Sequence, residues 1–310
     1  MPEIVTLTVN PAIDIATSVE CLTDTHKMRC TPGRLDPGGG GVNVARVVDR
    51  LGGDCVAVYL AGGPVAERLG RLLSVEGLPF VALGIEGETR ENFSVTELCS
   101  HREFRFVMPG PVVSESESQH CLDYLDALQP APRYLVLSGS LPLGVADDFY
   151  ARVIDQAKLH GSRVVLDASG PALRAALPHG PYLIKPSLNE LRQLTGRGLE
   201  TEADCMETAQ EIVRNGHAHA VALTLGAGGA MLVTQEEIVR AGAVATSFLS
   251  TIGAGDSFVG GMVWALNRNA GMREAFRYGM AAAAAALSHA GTELGSAAEI
   301  EQRYAEVSLS

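Results

Sequence analysis

The octapeptide T-I-G-A-G-D-S-F at residues 251–258 puts two glycines and a carboxylate directly before an apolar helical run, 258–266. The backbone N–H groups of Gly253, Ala254 and Gly255 have little or no side chain to screen them. They fall where a helix leaves its first donors unpaired and its dipole positive, which is a ready pocket for an anion. Asp256, at the same spot, could take a proton from an attacking hydroxyl. An anion pocket beside a base is the minimum apparatus for moving a phosphoryl group onto an alcohol. The same residues also suit an aspartate N-cap after a glycine-rich turn, a common structural arrangement.

Other stretches supply what such a reaction needs. Residues 37–45 read P-G-G-G-G-V-N-V-A. Four consecutive glycines before a helix are costly in entropy, and the usual return is close approach of backbone to a ligand. Asn43 sits on the first turn of that helix. Positive charge collects at Lys27, Arg29, Arg90 and Arg105. Lys27 and Arg29 are two apart and share a face if they lie on a strand, and the four together could hold a phosphate already on a substrate. Each taken singly also reads as ordinary solvated surface. The run K-P-S-L-N-E at 185–190 follows a buried strand and brings Glu190 early into the next helix. A carboxylate there can organise a magnesium ion with its waters, or simply sit well against the helix N-terminus. T-L-G-A-G-G at 224–229 follows another buried strand, and its glycines suit a nucleotide lying over the strand ends.

The elements that must position these groups follow from hydrophobic pattern. Apolar runs at 4–9, 55–60, 134–137, 163–166, 182–184 and 220–225 read as strands buried on both faces. Helical runs fall between and after them, at 42–51, 66–76, 116–128, 147–160, 201–215, 256–267, 273–288 and 297–307. This alternation predicts an α/β fold with a mainly parallel sheet between helical layers. Two stretches break it. Residues 14–36 are polar with short β-like pieces, one of them around Lys27, Met28 and Arg29, and residues 90–108 alternate as an exposed hairpin. Together they predict a small β-lid on one α/β domain spanning 1–310.

Composition narrows the setting. The 310 residues are 46% hydrophobic and 19% charged, with a net charge of −12 and no Lys/Arg run, which argues against a nucleic-acid or anionic-membrane surface. The six cysteines are scattered without a C-x-x-C pair and read as reduced thiols, not as a disulfide frame or zinc site. The chain opens on a strand without the basic and apolar regions of a signal peptide, and the alanine-rich 280–287 is too short to span a membrane. A soluble, cytoplasmic protein is expected. The sequence has no G-x-x-x-x-G-K-[ST] and no G-x-G-x-x-G after the first strand, which excludes a P-loop and disfavours a dinucleotide fold.

These motifs in this order resemble the ribokinase-like carbohydrate kinases, specifically the phosphofructokinase-B branch, from Thr6 to about Gly295. N-P-A-I-D at 10–14, R-F-V-M-P-G at 105–110 and S-G-S-L-P at 138–142 add to the likeness. Within the branch, G-G-G-G and R-F-V-M-P-G are most similar to the minor bacterial 6-phosphofructokinases. Relatives acting on fructose 1-phosphate or tagatose 6-phosphate usually carry lysine at the position of Gly40. The resemblance implies a three-layer fold with a β-lid, and ATP-dependent phosphorylation of fructose 6-phosphate at O1. The alternatives are a 1-phosphofructokinase, a tagatose-6-phosphate kinase or a non-catalytic sugar-phosphate sensor.

By the same resemblance, Asp14, Gly38, Gly39 and Asn43 would bind sugar hydroxyls. Lys27, Arg29, Arg90 and Arg105 would line the sugar-phosphate end, with Ser140 nearby. Lys185, Ser187, Thr224, Gly226 and Gly229 would meet ATP, with Ala284 near the adenine. Glu190 would order Mg²⁺ through water. Gly253, Ala254 and Gly255 would cradle the transferring phosphoryl group with Asp256 as base. Carbonyls near Ser250, Ile252 and Ala286 and the turn at Gly291 would hold K⁺, and the lid would pair two copies into a homodimer. Two departures stand out: Ser187 replaces the asparagine that usually precedes Glu190 by three, and His289 and Glu293 replace an asparagine and an arginine.

Overall fold

The computed structural model describes residues 2–24, 26–245 and 249–310. Thirteen strands run through the described residues: β1 (Ile4–Thr8), β2 (Ala12–Val19), β3 (Arg34–Gly38), β4 (Cys55–Ala61), β5 (Phe80–Gly84), β6 (Arg90–Glu97), β7 (Arg102–Phe106), β8 (Tyr134–Ser138), β9 (Arg163–Asp167), β10 (Leu183–Ile184), β11 (Ala220–Thr224), β12 (Ala230–Val233) and β13 (Ile238–Ala241). Nine of them form one sheet in the order β13-β12-β11-β10-β9-β8-β1-β4-β5. It is parallel from β11 to β5, with β12 and β13 added antiparallel at one edge.

Alternation along each strand sorts the core into two layers. On β4, Cys55, Ala57, Tyr59 and Ala61 face one layer while Val58 and Leu60 face the other. The first layer packs under helices Gly40–Arg50, Gly63–Glu76, Ala254–Asn267, Met272–Ala286 and Ala297–Glu306. The second packs under Glu115–Asp126, Phe149–Leu159, Gly170–Ala176, Leu188–Thr195 and Glu202–Arg214. A strand covered on both faces must be apolar along its whole length, which is why β1, β8 and β12 are buried at every position. Four helices start at reciprocal caps, Ser114 with Glu117, Ser187 with Glu190, Thr201 with Asp204 and Ser296 with Glu299. Each satisfies two donors that the helix cannot.

Four strands stand apart as a second sheet, β3-β2-β6-β7. Its two hairpins are joined by parallel pairing from Ala12 opposite Arg90 to Val19 opposite Glu97. One face carries Asp14, Asn92, Ser94 and Arg105, in cross-strand pairs Asp14–Asn92 and Ser94–Arg105. The other carries Ile15, Leu35, Phe93, Val95, Phe104 and Phe106, with Leu35, Phe93 and Phe106 left exposed.

Several expectations are corrected. Lys27 and Arg29 share no strand face: residues 27–33 form an exposed irregular connection to β3. The connection leaves even Met28 exposed, and it holds to β2 through Thr31, whose N–H donates to the Ser18 carbonyl at 2.9 Å. Cys21 and Cys99 are paired in a disulfide rather than reduced. The β2–β6 register ends at Val19–Glu97, so the residues two further on arrive side by side, 5.7 Å apart at Cα. Cys55, Cys121 and Cys205 are buried free thiols and Cys30 is an exposed one. Three strands escaped the pattern, β5, β12 and β13. The first and last are short, half-covered edges, and β12 follows the glycine turn too closely to read as a separate element. Among the described residues no helix is long and apolar enough to cross a membrane.

Candidate active site

A cavity of about 410 Å³ opens at the carboxyl ends of β8 and β9, between the main sheet and the polar face of the small sheet. Ligands of open α/β sheets bind at such strand ends. Two helix N-termini form its floor. The Gly40–Arg50 helix is pinned by the Val42 N–H donating to Thr8 Oγ1 at 2.9 Å. Its glycines are forced by contact: a Cβ on Gly38 would sit 2.7 Å from the Asp14 carboxylate, and one on Gly40 would collide with Ser138 Oγ. The Ala254–Asn267 helix begins after Gly253 in a left-handed conformation, φ 76°. Its ladder opens with the Ser257 N–H donating to the Gly253 carbonyl at 2.8 Å, and the Ala254 N–H turns back to the Thr251 carbonyl at 3.4 Å. Among the described residues the Gly255 and Asp256 N–H groups have no helical acceptor and lie at the cavity floor.

Asp256 lines the floor of the cavity and accepts a hydrogen bond from Asn43 Nδ2 at 2.8 Å. Burial, reinforced by the charge of Asp167, pushes its carboxyl up to about 6, against the opposing Asn43 bond, Lys185 and Arg105. A carboxylate poised near neutrality is suited to proton transfer. Lys185 pairs with Asp167 at 3.0 Å. Burial works against its charge, but Asp167, with Glu190 and Asp256, more than offsets this and holds the ammonium protonated. A Cβ on Gly255 would lie 3.4 Å from Lys185 Nζ, so the cation abuts the helix start.

The small sheet forms the facing wall. Asp14 accepts from Asn92 Nδ2 at 2.8 Å; burial raises its carboxyl, with Asn92, Arg105 and Arg90 opposing. Arg90 spends Nη1 on the Met108 carbonyl and Nη2 on the Asn10 carbonyl, at 2.7 and 2.9 Å. Among the described residues its Nε is buried without a partner. Arg105 reaches the same cavity from β7.

Of the residues singled out in the sequence, Asp14, Gly39, Asn43, Arg90, Arg105, Ser140, Glu190, Ile252, Gly253, Gly255 and Asp256 line the cavity. Gly38 abuts Asp14, and Ala254 lies between two lining residues. Ser187 forms a reciprocal cap with Glu190, its N–H on Glu190 Oε2 at 2.7 Å and its Oγ accepting the Glu190 N–H at 3.3 Å. Serine caps as well as asparagine, which gives the departure at 187 a physical reason. Thr224 bridges to Ser187 across the ends of β10 and β11, and Gly226 forms the exposed turn beyond it. Gly229 has φ 93° and no room for a Cβ against the Ala241 carbonyl, so this glycine is required by the turn itself. Ala284 is buried in the Met272–Ala286 helix. Ser250, Ala286 and Gly291 are buried beside the helix start, where the Leu249 N–H joins the two loops at the Leu287 carbonyl, 2.9 Å away. Lys27 and Arg29 lie outside the cavity, on the exposed connection.

Asp167 and Asn92 line the cavity without having been singled out, and Ser138, quoted only as the start of S-G-S-L-P, lines it too. Asp167 had a signal, a carboxylate ending the buried run R-V-V-L-D. Asn92 had a weaker one, as a polar residue on the inward phase of an alternating strand.

The profile of the pfkB family carbohydrate kinase matches residues 7–299. The ATP-dependent 6-phosphofructokinase isozyme 2 of Mycobacterium tuberculosis is 40% identical over 303 residues, covering 98% of this chain and 89% of that protein. The protein of the same description from Escherichia coli K12 is 39% identical over 309 residues, covering 99% of this chain and all of that protein. A crystal structure of phosphofructokinase-2 from Escherichia coli, in complex with substrates and products, superposes with a TM-score of 0.93 at 39% identity, over 97% of this chain and 98% of that one. The chain belongs to the pfkB family of carbohydrate kinases.

Proposed function

We propose that this chain is an ATP-dependent 6-phosphofructokinase that converts fructose 6-phosphate to fructose 1,6-bisphosphate. The observation that carries this reading is one cavity with Asp256 at a helix N-terminus on its floor and Arg90 and Arg105 on the facing wall. Such a site needs an acceptor that is anionic at one end and has a free hydroxyl at the other.

In this reading Arg90 and Arg105 anchor the phosphate of the sugar near Ser140, and Asp14, the Gly38–Gly39 backbone and Asn43 hold its hydroxyls. Asp256 takes the proton of the C1 hydroxyl as that oxygen bonds to the γ-phosphorus, and the bond from phosphorus to the departing ADP oxygen breaks. The N–H groups of residues 253–255 receive the charge on the transferring oxygens, with Lys185 beside them. The nucleotide lies over Lys185, Ser187, Thr224, Gly226 and Gly229, with Ala284 toward its base. Among the described residues no group of three or more carboxylate, thiol or imidazole side chains could hold a metal ion by itself. A site with Glu190 and phosphate oxygens suits a magnesium ion that keeps its waters. Mg²⁺ bound there would neutralise phosphate charge, with Glu190 ordering it through water.

The small sheet serves as a lid over the sugar. Its exposed face with Leu35, Phe93 and Phe106 supports a homodimer in which two lids pack together. Carbonyls near Ser250, Ile252 and Ala286 and in the turn at Gly291 would hold K⁺ behind the anion pocket, where it would add positive charge. Glycine at 40, pressed on Ser138, favours fructose 6-phosphate over the 1-phosphate and tagatose substrates.

An ADP-release assay with fructose 6-phosphate, fructose 1-phosphate and tagatose 6-phosphate, each with K⁺ or Na⁺, tests the proposal. The expected result is the highest kcat/KM with fructose 6-phosphate, and faster turnover in K⁺. Higher kcat/KM with another phosphosugar would overturn the substrate; the absence of ATP turnover with all three would favour a sensor.

A further inference from the structure

Arg46 is 2% exposed, with its charge inside the molecule. Its Nε and Nη2 donate to both oxygens of Glu76, at 2.7 and 2.6 Å. Its Nη1 is shared among Asn43 Oδ1 at 3.2 Å, the Thr292 carbonyl at 3.1 Å and the Pro37 carbonyl at 3.3 Å. Glu76 is the last residue of its helix, where a carboxylate is disfavoured by the dipole. Arg46, with Arg50 3.9 Å from the same carboxylate, supplies the reason for it to be there.

An asparagine side chain can turn over and exchange its donor for its acceptor. A guanidinium can only donate, so it admits only the carbonyl oxygen of Asn43 on its side. The amide N–H groups must then point the other way, where one of them meets Asp256 Oδ2 at 2.8 Å. The line Glu76–Arg46–Asn43–Asp256, buried at Arg46 and Asn43, thus has a single self-consistent direction. The same guanidinium ties the helix to Pro37, before the glycine turn, and to Thr292, in the loop behind the anion pocket.

We propose that Arg46, held by Glu76, is a positioning residue that locks the Asn43 amide so that it always donates to Asp256 and to the acceptor sugar. The proposal rests on the reading of Asp256 as the base. Without Arg46 the amide oxygen loses its fixed partner, so the side chain is no longer held in place and its N–H donor can drift from Asp256 and from the sugar. Small misplacements of reacting groups cost up to about 10²-fold in rate.

Steady-state kinetics of Arg46→Met, Asn43→Ala and the double variant test this, with folding checked by thermal melting. The expected result for Arg46→Met is a fall in kcat of about 10-fold or more and a raised KM for the sugar phosphate. KM for ATP stays within about twofold, because the nucleotide residues are not on this line. In the Asn43→Ala background the same substitution has no further effect on kcat, and Arg46→Lys, which keeps the charge and a donor, restores most of it. A general loosening of the fold would raise KM for both substrates and multiply with Asn43→Ala; that outcome overturns the proposal. If Arg46→Met does not fold, Glu76→Gln gives the same cycle with a smaller fall, and multiplicative losses there overturn it equally. Near-normal kcat in Asp256→Asn would mean that the base reading fails. A collapsed Asp256→Asn together with multiplicative Arg46 and Asn43 losses means that only the positioning role fails.

Discussion

The floor of the cavity, at the ends of β8 and β9 and the start of the Ala254–Asn267 helix, rests on a fully buried core, whereas the small sheet opposite is rooted in that core by Ala12 and Ile13 and held farther out by a few polar links. Ser138 is 1% exposed, and Tyr150, also fully buried, donates to the Gly139 carbonyl at 3.0 Å to fix the turn beside it. Lys185 and Asp167 face each other inside the same region. Across the cavity, Glu103 accepts from Ser250 Oγ at 2.9 Å, Glu91 pairs with Arg68 at 2.6 Å, and Arg34 joins Asp36 and Glu293. Apart from the buried Ser250, the partners are at least partly wet, and such pairs contribute little each. Regions with few buried apolar contacts open at low cost. The floor suits chemistry that tolerates no displacement, and the small sheet suits recognition that must admit and release a sugar.

Substitutions on the two sides should therefore fail differently. The largest effect belongs to the floor: Asp256→Asn lowers kcat by about 10²–10⁴-fold and leaves both KM values within about twofold. A variant that loses KM instead would erase the distinction. Next, Arg90→Ala on the facing wall raises KM for the sugar phosphate by about 10–100-fold, the worth of one charged hydrogen bond, with kcat nearly unchanged.

The pH profile sharpens the same contrast. As the proposed base, Asp256 would work only when ionised, so kcat is expected to rise with pH and level above about 6, losing about tenfold at one unit below. The raised carboxyl also makes the folded state bind its proton more tightly than the unfolded chain does. Ionised Asp256 then costs stability above pH 6, and the cost disappears below about 4, where both states are protonated. Asp256→Asn should accordingly melt higher than the parent at pH 8 and close to it at pH 4; an equal or lower melting temperature at pH 8 would argue against a desolvated carboxylate. The smallest effect is expected for Glu103→Gln, which weakens one edge link and should change KM for the sugar phosphate about twofold. It leaves the melting temperature unmoved.

The parallel sheet was legible because strands covered on both faces must be apolar throughout, and R-V-V-L-D or Y-L-V-L-S can do little else. The floor was legible because a helix start with no side chains before a carboxylate is rare in sequence and specific in consequence. Asn43 was visible as a polar residue on the first turn after the glycines and, by resemblance, as a sugar ligand; its bond to Asp256 was not, because it joins residues far apart in the chain. The connection at 27–33 misled because alternating polar residues resemble a strand until burial is known. Arg46 gave no signal at all, since an arginine inside V-A-R-V-V reads as the solvent stripe of its helix until Glu76 is found beneath it.

The pairing of Ala12 with Arg90 has a consequence for how the molecule is assembled. The two hairpins leave the main sheet after β1 and after β5, and these strands are neighbours only once β4 has docked between them. Contacts so distant in sequence form late, because the intervening chain must first be ordered. The core sheet is therefore expected to fold first, and the small sheet to be the last unit to gain, and the first to lose, protection against amide hydrogen exchange. A bound phosphosugar, by bridging Arg90 and Arg105 to the floor, would shift that protection selectively.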